Sequence, residues 1–205
     1  MKLKVVLGFF AVFACRQQSF SQTTIESFFA TEEMVVESWF FKPLTEGYEL
    51  SIFSLNDAII DYKTEDVALV SYSVLGYDIW KGIGPVLGGR FFDGRASALA
   101  GVQWAKAEEK FLITTNFTTE LRNEPFYEFF LLTQYRFPLN ENLGFFSQLQ
   151  NSINFNSEVH EFSFQRLRIG LSWKKYQFGL GTNTYQYGEN WDFEIDPGIF
   201  LRLEF

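Results

Sequence analysis

Residues Glu194 to Phe205 read E-I-D-P-G-I-F-L-R-L-E-F. In a β-strand, successive side chains point to opposite faces. Ile195, Pro197, Ile199, Leu201, Leu203 and Phe205 then share one face, and Glu194, Asp196, Gly198, Arg202 and Glu204 share the other. Phe200 is the one large apolar residue among the polar ones. The stretch predicts a strand with one greasy face and one ionic face.

The same alternation recurs upstream, in runs of roughly ten residues broken by short polar turns. The runs are Tyr48 to Asn56, Val67 to Trp80, Val86 to Phe92, Ala96 to Trp104, Phe111 to Leu121, Phe126 to Phe137, Leu143 to Phe155, Val159 to Trp173, Tyr176 to Tyr187 and the final stretch. Leu143, Phe145, Leu149, Ile153 and Phe155 oppose Gln148, Gln150, Ser152 and Asn154, for example. Counted from Tyr48 this gives about ten strands, long enough to cross a hydrocarbon layer at a tilt. Residues 22–46 are ambiguous between helix and strand, because Trp39-Phe40-Phe41 is apolar on both faces and Pro43 breaks the run. If they pair, the count is twelve.

Composition fits a chain of this kind. Hydrophobic residues make up 47% and aromatics 20% of 205 residues, yet mean hydropathy is only −0.04. Spreading apolar residues over alternate positions reconciles the two, since no long apolar run is needed. The one such run is at the start. Lys2 and Lys4 precede Val5 to Ala14, and Ser19-Phe20-Ser21 has the small-any-small form of a cleavage site, so residues 1–21 are expected to be a signal peptide. Cys15, the only cysteine, would leave with it; Val12-Phe13-Ala14-Cys15 is only loosely a lipoprotein box. From Gln22 onward the formal charge is −11, three below the −8 of the whole chain because Lys2, Lys4 and Arg16 lie in the leader. That balance argues against nucleic acid as a partner.

Aromatics gather at the ends of the runs: Tyr77 and Trp80, Trp104, Tyr135 and Phe137, Trp173 and Tyr176, Tyr187 and Trp191. Such girdles form where amphipathic rings meet lipid headgroups. A soluble β-sandwich is the alternative, but it explains neither the leader nor the girdle. The last stretch resembles the carboxy-terminal signal of Gram-negative outer-membrane β-barrel proteins, with Asp196, Gly198, Leu201 and Leu203 in its pattern and Phe205 as the terminal aromatic. The resemblance implies a closed, antiparallel, up-and-down transmembrane β-barrel over residues 47–205, following an N-terminal segment at 22–46. It also implies an outer-membrane location, contact with outer-membrane lipid and recognition by the β-barrel assembly machinery.

Function is less legible. Inward-facing charges are the candidate lumen lining: Arg90, Glu128, Arg136, Arg166, Arg168, Glu194, Asp196 and Arg202, with Lys110, Glu120, Asp192 and Glu204 beside them. Such residues make either a selectivity lining for a narrow pore or passive transporter of small polar solutes, or a packed ionic plug in a non-conducting barrel that serves structurally or in an envelope complex. Enzyme activity is not expected. The sole histidine, His160, has Ser163 nearby, but an unbulged strand sets the two on opposite faces, so a lipid-modifying enzyme is the weakest reading. One histidine gives no metal-ligand spacing, and no cofactor motif is present.

Overall fold

The computed structural model describes residues 22–47, 49–92 and 94–205; the expected leader and Cys15 lie outside the described residues. The chain forms twelve strands: β1 (Gln22–Ala30), β2 (Glu33–Pro43), β3 (Leu50–Asp61), β4 (Val67–Tyr77), β5 (Ile83–Phe92), β6 (Arg95–Glu108), β7 (Phe111–Glu120), β8 (Tyr127–Pro138), β9 (Leu143–Phe155), β10 (His160–Trp173), β11 (Tyr176–Tyr187) and β12 (Asp192–Glu204). Each pairs antiparallel with its sequence neighbours, and β1 pairs with β12, so the sheet closes into an up-and-down barrel.

The count is therefore twelve, the alternative to ten that pairing of residues 22–46 predicts. Residues 22–43 supply the extra two strands, and the wall begins at Gln22 instead of residue 47. The ambiguity of Trp39-Phe40-Phe41 has a physical cause. Trp39 points into a filled lumen, where it is fully buried, while Phe40 takes the outer face. A barrel with apolar residues on both sides of its wall erases the contrast on which alternation depends.

We call the end holding Gln22 and Phe205 the terminal rim and the other the hairpin rim. All connections are short at both. The outer wall carries a belt of exposed large apolar side chains, among them Leu87, Val102, Phe129, Ile169, Leu180, Ile199 and Leu201. Tyr77, Trp80, Trp104, Tyr135, Phe137, Trp173 and Tyr176 ring the terminal rim, and Tyr187 and Trp191 stand at the hairpin rim. Lysines reach over three of the terminal-rim rings: Lys81 over Trp80 at 5.3 Å, Lys174 over Trp173 at 5.3 Å and Lys175 over Tyr176 at 5.7 Å. An apolar belt bounded by aromatic and cationic groups is a membrane-facing surface. The closed barrel and this belt agree with the outer-membrane location expected from the sequence.

Candidate functional site

The lumen is where the charged candidates meet, and it is filled. On the β2 to β8 side, Trp39, Phe53, Leu55, Tyr72, Val74, Val86, Leu99, Leu112, Phe130 and Leu132 form one buried apolar cluster. Phe28, Val35, Phe146 and Phe200 form a second. Phe200, the apparent intruder on the ionic face of the last strand, is thus part of the filling, 1% exposed.

Between these clusters lies a buried ionic layer. The barrel register aligns Arg202 of β12 with Glu26 of β1, Glu26 with Glu37 of β2, and Glu37 with Asp57 of β3. Three carboxylates side by side would repel one another, and three arginines offset them. The Arg168 Nε donates to Glu26 Oε1 at 2.8 Å, and the Arg202 Nε donates to Glu26 Oε2 at 2.9 Å. Across the lumen, Arg166 Nη1 donates to Glu37 Oε2 at 2.7 Å and to Asp57 Oδ2 at 2.8 Å. Three acids face three guanidiniums, so the layer is formally neutral, and none of the six residues exceeds 5% exposure. Buried charge persists when it is paired and hydrogen-bonded in this way. The rings add to the neutralisation: Arg168 lies 3.7 Å over Phe28, Arg202 lies 4.8 Å over Phe146 and Arg166 lies 4.7 Å over Phe164.

Two smaller groups flank this layer. Towards the hairpin rim, Arg90 pairs with Glu120, approaches Glu128 at 3.6 Å and donates to Asn154 at 3.1 Å. Towards the terminal rim, Arg136 pairs with Glu204 at 2.5 Å, and Gln177 donates to the other oxygen of that carboxylate at 2.6 Å. A cavity of about 270 Å³ opens beside Arg136; Lys110, Asn140, Glu141, Ser172 and Lys174 help line it, so it belongs to the turns of that rim.

Most of the expected lining therefore converges: Arg90, Glu128, Arg136, Arg166, Arg168 and Arg202 all join the lumen networks. Two residues do not. Glu194 has the inward parity but sits exposed beyond the end of β1. Asp196 is buried and acts on the barrel seam. Its Oδ1 accepts from the Thr31 backbone N–H at 2.8 Å and its Oδ2 from the Glu32 N–H at 3.1 Å, and the Thr31 hydroxyl also donates to it. It thereby ties β12 to the β1–β2 turn. Glu26, Glu37 and Asp57 escaped the sequence reading, although the three inward arginines already called for buried acids to match them.

His160 and Ser163 do meet. The register of β10 slips between His160 and Phe162, which supplies the bulge an unbroken strand lacks. His160 Nδ1 lies 2.9 Å from the Gly188 carbonyl and Nε2 lies 2.7 Å from Ser163 Oγ. A carbonyl only accepts, so Nδ1 carries the proton and Nε2 accepts from the serine hydroxyl. The imidazole also stacks on Trp191, with centroids 3.8 Å apart. Ser163 is fully covered. The arrangement fastens the start of β10 to the β11–β12 turn.

No protein-family model matches the chain, and comparison with curated proteins finds no match. Among solved structures, a membrane protein from a study of in-meso crystallization is similar at 10% identity and a TM-score of 0.48, covering 91% of this chain and 84% of its own. Pseudomonas aeruginosa OpdL follows at 10% identity and 0.42, covering 82% and 65%. The trimeric outer-membrane protein OmpT of Vibrio cholerae is similar at 6% identity and 0.37, covering 90% and 98%. Scores this low assign neither subfamily nor activity.

Proposed function

We propose that this chain is a closed, non-conducting outer-membrane barrel that serves as a structural element or as a subunit of an envelope complex. The neutral layer of Glu26, Glu37, Asp57, Arg166, Arg168 and Arg202 carries the reading. A selectivity lining needs water and unpaired charge of one sign along a continuous path. Here the arginines are spent on carboxylates, and two apolar clusters pack against them. The solute-permeation test follows directly. Proteoliposomes holding the refolded chain are expected to swell in small sugars no faster than empty liposomes; swelling that scales with protein content would favour the narrow pore. In the same account, the outward apolar row of β12, with Leu201 and Phe205 exposed, is what the assembly machinery reads.

The His160–Ser163 bond favours a second reading, a lipid-acting hydrolase with Ser163 as nucleophile and His160 as base. Its weakness is the complete burial of Ser163. Labelling of Ser163 by a fluorophosphonate, lost in Ser163→Ala, would support it. An unlabelled wild type whose His160→Ala variant only loosens the 188–191 turn, seen as faster proteolysis there, would leave the clasp as the whole role.

A further inference from the structure

The lipid-facing belt thins over β2 and β3. Among the described residues, no exposed large apolar side chain comes from β2 or β3, although the other strands contribute such residues. Midway along this sector the outward row carries a polar group, Ser38 on β2, Ser54 and Asn56 on β3, Ser71 and Ser73 on β4, flanked by the half-buried Val36, Phe40 and Ile52. Their parity is fixed by inward neighbours, since Glu37, Phe53, Asp57, Tyr72 and Val74 fill the lumen. The register places Ser38 opposite Asn56, Asn56 opposite Ser71, and Ser54 opposite Ser73. The side chains form a connected group. Ser71 Oγ donates to Asn56 Oδ1 at 2.7 Å, Asn56 Nδ2 donates to Ser54 Oγ at 3.2 Å, and the Ser54 and Ser73 hydroxyls are 2.7 Å apart. All lie in the middle of their strands, away from both headgroup zones.

These bonds do not use the full capacity of the group. An amide carries two donors and an acceptor with two lone pairs, and each hydroxyl accepts twice. Hydrocarbon satisfies none of the remainder, so a polar group at this depth is unfavourable unless another polar surface covers it. Small residues also let a second backbone approach closely.

We propose that the outer wall of β2 to β4, centred on the half-buried Asn56, Ser71 and Ser73 with the buried Ser54 beneath them, is a self-association surface that pairs with the same surface of a second copy of this chain. Self-complementarity is the reason to choose a second copy. Serine and asparagine each donate and accept, so the patch is its own partner across a two-fold axis, and it carries no charge to repel its equal. The surface is on the outside of the wall and stands or falls independently of whether the lumen conducts.

The test uses the full chain, with Cys15→Ser as background, expressed in a bacterial outer membrane. Ser71→Cys and Ser38→Cys are treated with a short bis-maleimide, beside Leu167→Cys on the far wall, which is 40% exposed. Heat-modifiable migration confirms that each variant is folded. Position 71 or 38 is expected to yield a product of twice the chain mass, and position 167 is not. Adding Asn56→Leu, which removes the central amide, is expected to lower the yield by roughly threefold to tenfold. Equal yields at all three positions, no product at 71 and 38, or a product whose mass fits a different protein would each overturn the proposal.

Discussion

Glu26 holds two arginines at once, and Glu26→Gln keeps its volume while removing its charge. Arg168 would retain Asn183 Oδ1 at 3.0 Å and two backbone carbonyls, and Arg202 would retain Gln148 Oε1 at 2.6 Å. Much of the hydrogen bonding therefore survives, and what is lost is neutralisation of two guanidiniums that are 1% and 2% exposed. Breaking a buried pair by removing one partner costs about 3–5 kcal/mol; the surviving bonds place this variant near the lower end, at about 3 kcal/mol. Equilibrium urea unfolding of the barrel in lipid vesicles, followed by tryptophan fluorescence, reads the change. A companion variant, Glu26→Leu/Arg168→Met/Arg202→Met, removes the charges together and is expected to recover most of the loss, because apolar replacement of a whole buried ionic group is often neutral or better. If Glu26→Gln shifts stability by less than about 0.5 kcal/mol, the range of an ordinary surface substitution, the layer is not the buried neutral cluster described above.

Two further variants probe closure and packing. Asp196→Ala strips the β1–β2 turn of its acceptors, leaves the Thr31 and Glu32 N–H groups unpaired, and is expected to destabilise the barrel by about 1–3 kcal/mol, with slower refolding as the seam closes less readily. A Cβ on Gly181 would sit 2.7 Å from Arg168 Cδ and 2.6 Å from the Leu167 carbonyl oxygen; Gly181→Ala is therefore expected to cost about 1–3 kcal/mol by overpacking, and unchanged unfolding would show that Arg168 has room to move.

The wall was largely legible in the sequence, and the lumen only by half. From Leu50 onward, alternation located ten of the strands, because in most of them a lipid-facing apolar row alternates with a polar or mixed inner row. It faltered at β2, where Trp39 and Phe40 are apolar on opposite sides of the wall. The arginines of β10 and β12 were identifiable because a cation at an inward parity is conspicuous. Their partners were not, since Glu26, Glu37 and Asp57 come from strands more than a hundred positions away in sequence. Only closure of β1 onto β12 brings them together. Asp196 looked like lining for a similar reason: the turn it caps lies 165 positions upstream. His160 and Ser163 depended on a single-residue bulge, which no periodicity announces.

Single-channel recording of the refolded barrel in a planar bilayer tests the closed lumen most directly. The wild type is expected to remain silent at moderate voltage, and an Arg166→Ala/Arg168→Ala variant to show unstable, cation-preferring openings, because Glu26, Glu37 and Asp57 would lose two of their three guanidiniums. Steady conductance from the wild type, with selectivity that shifts in the variant, would contradict the account and make those arginines the lining of a pore.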